Sequence, residues 1–431
     1  MLFAITVAAV TCLVTIAAVL FLPKIKIGKV SVSSYWVVTV LGAAILLFSG
    51  IVDVKAVGAA MVADTAINPL KILVLFISMT VLSIFLDELG FFRYLANCAL
   101  RYAGGNQKRL FVILYITVSV LTVFTSNDII ILSFTPFVCY FAKNAHIDPV
   151  PYLAAEFVAA NTWSMALIIG NPTNIYLVTA TGGDFISYVK VMLLPTLAGG
   201  TVACLCLFFL FRKKLSDSIR VSYEDVKIKD KFLLWVGIVH LAVCTVVLAV
   251  GSYIGIEMWL VSLLSVVSLF AFNLVVALVR RHRPAALGAC LRRAPWDLIP
   301  FVLSMFVLVE ALRITGVTNE IFGLLGETGA VWKYGFASFF AANLINNIPM
   351  SVLFSSILSG AVSDLEAIYA TVVGANLGAC FTPIGALAGI MWSSILREHG
   401  LKFGYLDFLK IGVTVAIPAL VATLGVIALL V

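Results

Sequence analysis

"FTSNDIIILSF", Phe124 to Phe134, sets four polar residues, Thr125-Ser126-Asn127-Asp128, inside an apolar tract that runs from Leu110 to Phe141. A second tract, Val331 to Leu358, is interrupted in the same way by "NLINNIPMSV", Asn343 to Val352. In both, the polar residues lie at mid-length, where a helix crossing lipid would carry them at the greatest cost. Each tract is therefore read as a re-entrant hairpin that enters and leaves on one face. Irregular backbone at membrane depth is tolerated only inside protein or beside an aqueous cavity.

Composition sets the solvent. The 431 residues are 62% hydrophobic and 11% charged, with a mean hydropathy of +1.14. No soluble domain buries that much apolar surface, so the chain is a polytopic membrane protein. The net charge of +7 would suit a nucleic acid. Its basic residues, however, lie in short clusters between apolar runs, the pattern of membrane orientation, so no nucleic-acid partner is expected. Eight cysteines show no CxxC or Cys/His spacing and four histidines no metal spacing, so the cysteines read as small apolar residues and no cofactor is expected. Leu2 to Leu22 is followed by Pro23-Lys24 rather than a small-residue cleavage site and is read as a retained first span.

Spans are expected near 2–22, 35–50, 70–86, 151–180, 185–211, 232–250, 256–279, 297–312, 364–396 and 405–430. Lys24, Lys26 and Lys29 follow the first. Arg93, Arg101, Lys108 and Arg109 follow the third, and a cluster from Arg212 to Lys231 follows the fifth. Arg280 to Arg293 follow the seventh, and Arg397 and Lys402 the ninth. Every second loop is basic and is assigned to the cytoplasm, which puts both termini outside. A single crossing by either polar tract would break this alternation. The first hairpin, about 109–142, thus opens to the cytoplasm and the second, about 331–360, to the outside.

The halves repeat. "FISMTVLSIFLDELGFF" (Phe76–Phe92) matches "VLSMFVLVEALRITGVT" (Val302–Thr318), with Ser78-Met79 on Ser304-Met305 and Gly90 on Gly316 at one offset. Asn127 falls opposite Asn347, Asn161 opposite Asn376 and Gly170 opposite Gly385; "FISYVK" (Phe185–Lys190) resembles "FGYLDFLK" (Phe403–Lys410). An odd number of spans per half requires the second to be inverted. The expected fold is all-α and polytopic: about ten transmembrane helices plus two re-entrant hairpins in two inverted-topology repeats, 1–214 and 231–431, joined by a cytoplasmic linker, 215–230. Inverted repeats with interrupted segments in matching places mark a secondary transporter with a midplane site.

The interrupted spans complete that site. In "AANTWSMALIIGNPTNIYL" (159–177, within the span 151–180), Asn161-Thr162 precedes Gly170-Asn171-Pro172-Thr173-Asn174; in "GANLGACFTPIGALAGIMW" (374–392, within the span 364–396), Asn376 precedes Thr382-Pro383-Ile384-Gly385. Gly and Pro free backbone groups, amides and hydroxyls donate and accept, and the half-helix after each break aims its positive end at the cavity. A small anion or neutral polyhydroxyl species suits such a site, with a cation on the carbonyls.

With "FLDELGFF", "SNDIIILSFTPFV", "RRAPWDLIPFVLSM", "INNIPMSVL" and "GANLGACFTPIGALAGIMW", the chain resembles the arsenite permeases (arsenical pump membrane proteins) of the ion transporter superfamily. That superfamily also holds citrate permeases, sodium/proton antiporters and sodium-coupled dicarboxylate carriers. The resemblance implies a substrate site at the hairpin tips and breaks, here Asn127, Asp128, Asn171, Asn174, Asn346, Asn347, Asn376 and Thr382; the residue pattern adds Asn161 and Thr173. It implies arsenite or antimonite efflux coupled to protons, from the plasma membrane of a prokaryote. The alternative is a proton- or sodium-coupled permease for citrate, a dicarboxylate or another anion. Without a GxxxxGK[ST] motif, ATP would have to enter through a separate ATPase subunit; a homodimer stays open. A channel would need a continuous polar lining, and an enzyme a nucleophile–base or metal constellation.

Individual acids carry two readings. Asp128 is either the proton-coupling residue or a helix cap. Glu156 and Glu310 are each a proton relay or a structural partner, Glu310 to Arg313. Asp87-Glu88 and Arg93 are expected to form interfacial pairs, and Cys380 to be packing rather than a thiol ligand.

Overall fold

The computed structural model describes all residues except 23, 28–29, 64–67, 181–182, 217–226, 282 and 360–364. Lys29, Arg220 and most of the expected linker lie outside the described residues. The first half runs α1 (Leu2–Phe21), α2 (Ser34–Phe48), α3 (Val54–Val62), α4 (Pro69–Glu88), α5 (Phe91–Ala103), α6 (Gln107–Phe124), α7 (Asn127–Ala145), α8 (Val150–Trp163), α9 (Pro172–Ala180) and α10 (Phe185–Phe211). The second repeats the order: α11 (Lys231–Ile254), α12 (Met258–Val279), α13 (Ala285–Arg293), α14 (Leu298–Ile314), α15 (Val317–Leu325), α16 (Ala330–Ile345), α17 (Asn347–Ser359), α18 (Leu365–Gly378), α19 (Leu387–Glu398) and α20 (Tyr405–Leu430). A π-helical stretch, Gly412–Ala416, interrupts α20. Each helix corresponds to the one ten places later.

Local chemistry sets the boundaries. Asn68 caps α4 by accepting from the Leu70 and Lys71 amides at 2.9 and 3.3 Å, with Pro69 in the first turn. Asn106 caps α6 through the Arg109 amide at 3.0 Å. Gly90 (φ 86°) and Gly316 (φ 81°) sit at matching corners, α4 to α5 and α14 to α15, and both need the left-handed backbone that glycine tolerates best. Two features were not expected from the sequence. The short helices α3, α5, α13 and α15 lie between spans, and β1 (Lys24–Ile27) pairs antiparallel with β2 (Val30–Ser33), Lys24 opposite Ser33.

One end of the molecule gathers the basic clusters. Lys214 at the end of α10 pairs with Asp148, between α7 and α8, at 2.6 Å. Arg280 at the end of α12 pairs with Asp230, before α11. Ser33, before α2, donates to Asp297, before α14, at 2.5 Å. Arg293 bonds Asp87 at 2.6 Å and also Glu88, at the end of α4. The expected partner, Arg93, is not the one used: the two carboxylates reach across to the second half. So α4 runs toward this basic face and α14 away from it, which makes the repeats inverted.

The hairpins are re-entrant. The Tyr152 hydroxyl, at the start of α8, donates to Gln107 Oε1, at the start of α6, at 2.9 Å. The chain has therefore come back to its starting face by the end of α7. In the second half, Tyr334 near the base of α16 lies 6.4 Å, ring to ring, from Phe354 on the returning arm. Among the described residues seven helices are alone long and apolar enough to cross, and α6 is one of them; length does not separate a hairpin arm from a span. Packing exchanges the halves: α2 lies against α14 and α12 against α4, while α7 lies against α19 and α17 against α9. The interrupted spans occupy the centre, with every residue from Pro151 to Thr162 and from Ala367 to Gly378 buried. By contrast α10, α11 and α12 turn Leu205, Val246 and Leu264 outward, as a lipid-facing surface requires.

Candidate functional site

The first break begins earlier than expected. Helix α8 stops at Trp163, two 3-10 turns follow (Ser164–Ala166 and Ile168–Gly170), and α9 starts at Pro172. The chain doubles back onto its own helix end. A Cβ on Gly170 would lie 2.2 Å from the Ser164 carbonyl oxygen. The matched Gly385 does the same at the second break, where a Cβ would lie 2.7 Å from the Gly378 carbonyl. The sequence match between these glycines thus reflects one steric demand met twice.

Both hairpin tips dock near the breaks. Asn127 Nδ2 donates to Asn161 Oδ1 at 3.2 Å. Asn346, with φ at 72°, donates through Nδ2 to the Ile384 carbonyl at 3.0 Å, and the Asn347 amide donates to the Gly385 carbonyl at 2.9 Å. Thr382 Oγ1 donates to Asn343 Oδ1 at 2.6 Å, and Asn343 Nδ2 returns to the Gly378 carbonyl at 3.0 Å.

Between the two interrupted spans lies a closed network around Asn376. Its Oδ1 accepts from Ser164 Oγ at 2.8 Å and from Asn171 Nδ2 at 2.9 Å. Its Nδ2 donates to Asn174 Oδ1 at 2.7 Å and to the Val372 carbonyl at 2.8 Å. A carboxamide offers two donors and two acceptor sites, so Asn376 has no capacity left. Asn174 is tied further, donating to the Ser164 and Leu167 carbonyls at 2.8 and 3.1 Å, while Asn171 Oδ1 accepts from the Thr173 amide at 3.2 Å. These groups lock one span to the other.

Unused capacity lies at the tips. Asn127 Oδ1 and Asn347 Oδ1, the symmetry-matched pair, are both buried without a partner, as is Ser126 Oγ. Buried polar atoms are rarely left so. Asp128 follows Asn127 in the first turn of α7 and is half-buried. Among the described residues it makes no hydrogen bond or ion pair, and Ser126, in the cap position, makes no capping bond. Tyr35 of α2 is within electrostatic reach of it. Glu156 is fully buried and takes a 2.8 Å bond from Thr135 Oγ1 on its Oε1; its Oε2 has no partner. Glu310, by contrast, is engaged by Arg313 through two bonds, 2.7 and 2.6 Å, and Cys380 is fully buried in the second break. No lysine, arginine or histidine bonds any of the tip or break side chains among the described residues, and no cluster of three metal-ligating groups occurs there.

Ser164, Asn343 and Thr135 were missed as partners from sequence. The first two lie three residues after Asn161 and four before Asn347, so helical spacing to a motif residue could have found them. At the end opposite the basic face, a cavity of 310 Å³ between Lys71, Thr179, Asp184, Glu257 and Trp259 opens beside α9. There the Ser187 hydroxyl and the Ile186 and Ser187 amides hold the Asp184 carboxyl below the usual range.

Residues 17–369 match the family described as citrate transporter. The chain is 29% identical to an "Arsenical pump membrane protein" of Escherichia coli, over 96% of both chains. It is 24% identical to a "Putative arsenical pump membrane protein" of Bacillus subtilis, over 77% of this chain and 80% of that one. The crystal structure of the Alcanivorax borkumensis YdaH transporter superposes with a TM-score of 0.55 at 14% identity, covering 99% of this chain and 98% of that one.

Proposed function

From the chain's membership of the citrate transporter family, and its resulting role as a secondary transporter, we propose that it exports arsenite or antimonite against entering protons. The observation that carries this reading is the chemistry of the tips. Two matched carboxamide oxygens and a hydroxyl are free to bond, and no cation bonds the site residues among the described residues. Arsenous acid is neutral at pH 7 and presents hydroxyl hydrogens, which such acceptors receive directly. A tricarboxylate would bring several negative charges into a site without a guanidinium or ammonium to match them. The relatives named as arsenical pumps support the same choice.

On this reading Asn127 and Asn347 take the cargo's hydroxyls, one from each repeat, with Asn346 and Thr382 shaping the second tip. The Asn376 network, with Asn161, Asn171, Thr173 and Asn174, holds the breaks in place around it. Asp128 carries the coupling proton. A carboxylate without a cationic partner costs several kcal/mol or more to bury, so closing the site requires a proton or a cation on it, and opening it to water releases that requirement. Glu156, on α8 and bonded by Thr135 of the same hairpin arm as Asp128, is placed to pass the proton on. The basic face is cytoplasmic and the termini outside, by the positive-inside rule. The repeats 1–214 and 231–431 provide the two gates.

The test is expression in an arsenite-sensitive host whose own efflux genes are deleted. Reduced accumulation of arsenite, lost in Asn127→Ala and Asn347→Ala proteins present at normal levels, is the expected result. Unchanged accumulation together with ready movement of citrate would transfer the chain to the anion permeases.

A further inference from the structure

A second pocket lies at the basic face, away from the tips and breaks. It measures 250 Å³ and is bounded by three parts of the chain that the fold brings together. Glu88 and Leu89 come from the end of α4, Lys229 to Leu233 from the entry to α11, and Asn273 to Ala286 from the end of α12 and the start of α13. The Lys229 amide donates to the Leu89 carbonyl at 3.1 Å, which fixes the entry segment against α4.

The charges around this pocket do not cancel. Asp230 is taken by Arg280, and Glu88 shares Arg293 with Asp87, which leaves one negative charge beside the pocket. Burial works against ionisation of Asp230, but the Leu233 and Phe232 amides and the Arg280 guanidinium hold its carboxyl below the usual range, so it stays charged and keeps Arg280 occupied. Lys229 and Arg283 remain, both exposed and neither in an ion pair among the described residues. The decisive group is Asn273. Its side chain is 2% exposed, it lines the pocket, and its Nδ2 has no acceptor. A buried amide donor left open in a pocket that carries two cations outside any ion pair, and a net positive charge, asks for an anion with several acceptor oxygens.

We propose that this pocket binds a phosphate group, with Asn273 Nδ2 donating to one oxygen and Lys229 and Arg283 matching the charge. Two sources share this chemistry: the headgroup of an anionic phospholipid, and free inorganic phosphate. The position at the membrane-facing end of α12, on the basic face, is where juxtamembrane cations meet anionic lipid. A phosphate there would bridge α4 of the first repeat to α12 and α13 of the second, and so would set how firmly the halves hold together at this end.

Delipidated full-length protein in a neutral detergent is titrated separately with phosphatidylglycerol, phosphatidylcholine and sodium phosphate, and thermal unfolding is followed. The expected result is a rise in Tm with phosphatidylglycerol that exceeds the rise with phosphatidylcholine and saturates. Its half-saturating concentration should rise about tenfold in Asn273→Leu and in the Lys229→Glu/Arg283→Glu double variant, the loss of a charge-assisted hydrogen bond or of both cations. The double variant alters only exposed side chains, so it keeps the test valid if the buried substitution impairs folding. A rise with sodium phosphate but not with phosphatidylglycerol, abolished by the same variants, supports the site with a soluble occupant. No rise with either, or a rise of the same size and midpoint in both variants, overturns the proposal.

Discussion

Replacing Asn376 with leucine removes the centre of the interior network while roughly keeping the side-chain volume. Three of its four hydrogen bonds cross to the other interrupted span, to Ser164, Asn171 and Asn174. Ser164 retains the Asn161 carbonyl as an acceptor at 2.8 Å and Asn174 Oδ1 retains the Thr173 hydroxyl as a donor at 3.4 Å, so one group is stranded, Asn171 Nδ2. Interhelical hydrogen bonds inside membranes average about 0.6 kcal/mol each, which gives a lower figure of about 2 kcal/mol for the three. Counting instead the one buried group left without a partner, at about 1–3 kcal/mol, gives an upper figure of about 3 kcal/mol. Asn127→Leu gives up a single 3.2 Å bond and should cost about 0.6 kcal/mol on the same scale. Reversible unfolding in mixed detergent, run on both variants beside the parent, measures the contrast. Asn376→Leu should be the more destabilised by at least about 1.4 kcal/mol, a tenfold difference in the unfolding equilibrium. An Asn376→Leu protein as stable as the parent, with only its KM raised, refutes this, because Asn376 would then be a substrate ligand and not a lock.

Three other outcomes follow from the same geometry. Asp128→Asn cannot titrate and loses no bond seen in the structure; it should fold, exchange substrate down a substrate gradient, and fail to drive uphill transport from a pH gradient imposed on vesicles. Asp184 caps α10 with a carboxyl held below its usual range. Its contribution is therefore present above the unfolded value near pH 4 and lost as the pH falls through the lower folded value, so Asp184→Ala should cost about 1 kcal/mol at pH 7 with the gap closing in acid, read by unfolding at both pH values. Cysteines placed at Gly105 and Asn144, in an otherwise cysteine-free protein, should both label with an impermeant maleimide from the basic face only; labelling from opposite faces would turn the first hairpin into a span.

What could be read in advance divides along physical lines. The spans and hairpins were legible because lipid imposes long apolar runs and penalises polar interruptions; α10 begins and ends where its apolar run does. The short helices were not, since α3 and α13 are nine residues each and leave little apolar signal. The β1–β2 hairpin did leave one, the alternation Lys24-Ile25-Lys26-Ile27, which has the period of a strand. At the site, Gly170 and Gly385 marked the breaks correctly, yet the helix yields at Ser164, because the Asn174 side chain captures the Ser164 carbonyl. Nothing local announces that. Asn376 matches Asn161 in position but not in bonding, since the residues it meets, Asn171 and Asn174, have Ala386 and Gly389 as their counterparts in the second half. The partner of Asp87 and Glu88 lies in the other repeat, where only the folded chain brings it close.

Whether a proton gradient drives a neutral metalloid hydroxide through the paired hairpin tips is measured in proteoliposomes holding the purified protein alone. With an imposed pH gradient and no ATP, the expected result is saturable arsenite movement opposite to the proton flow, abolished by a protonophore and by Asn347→Ala, with no citrate movement under the same gradient. Citrate transport in the absence of arsenite transport, or arsenite flux indifferent to the proton gradient, would contradict it.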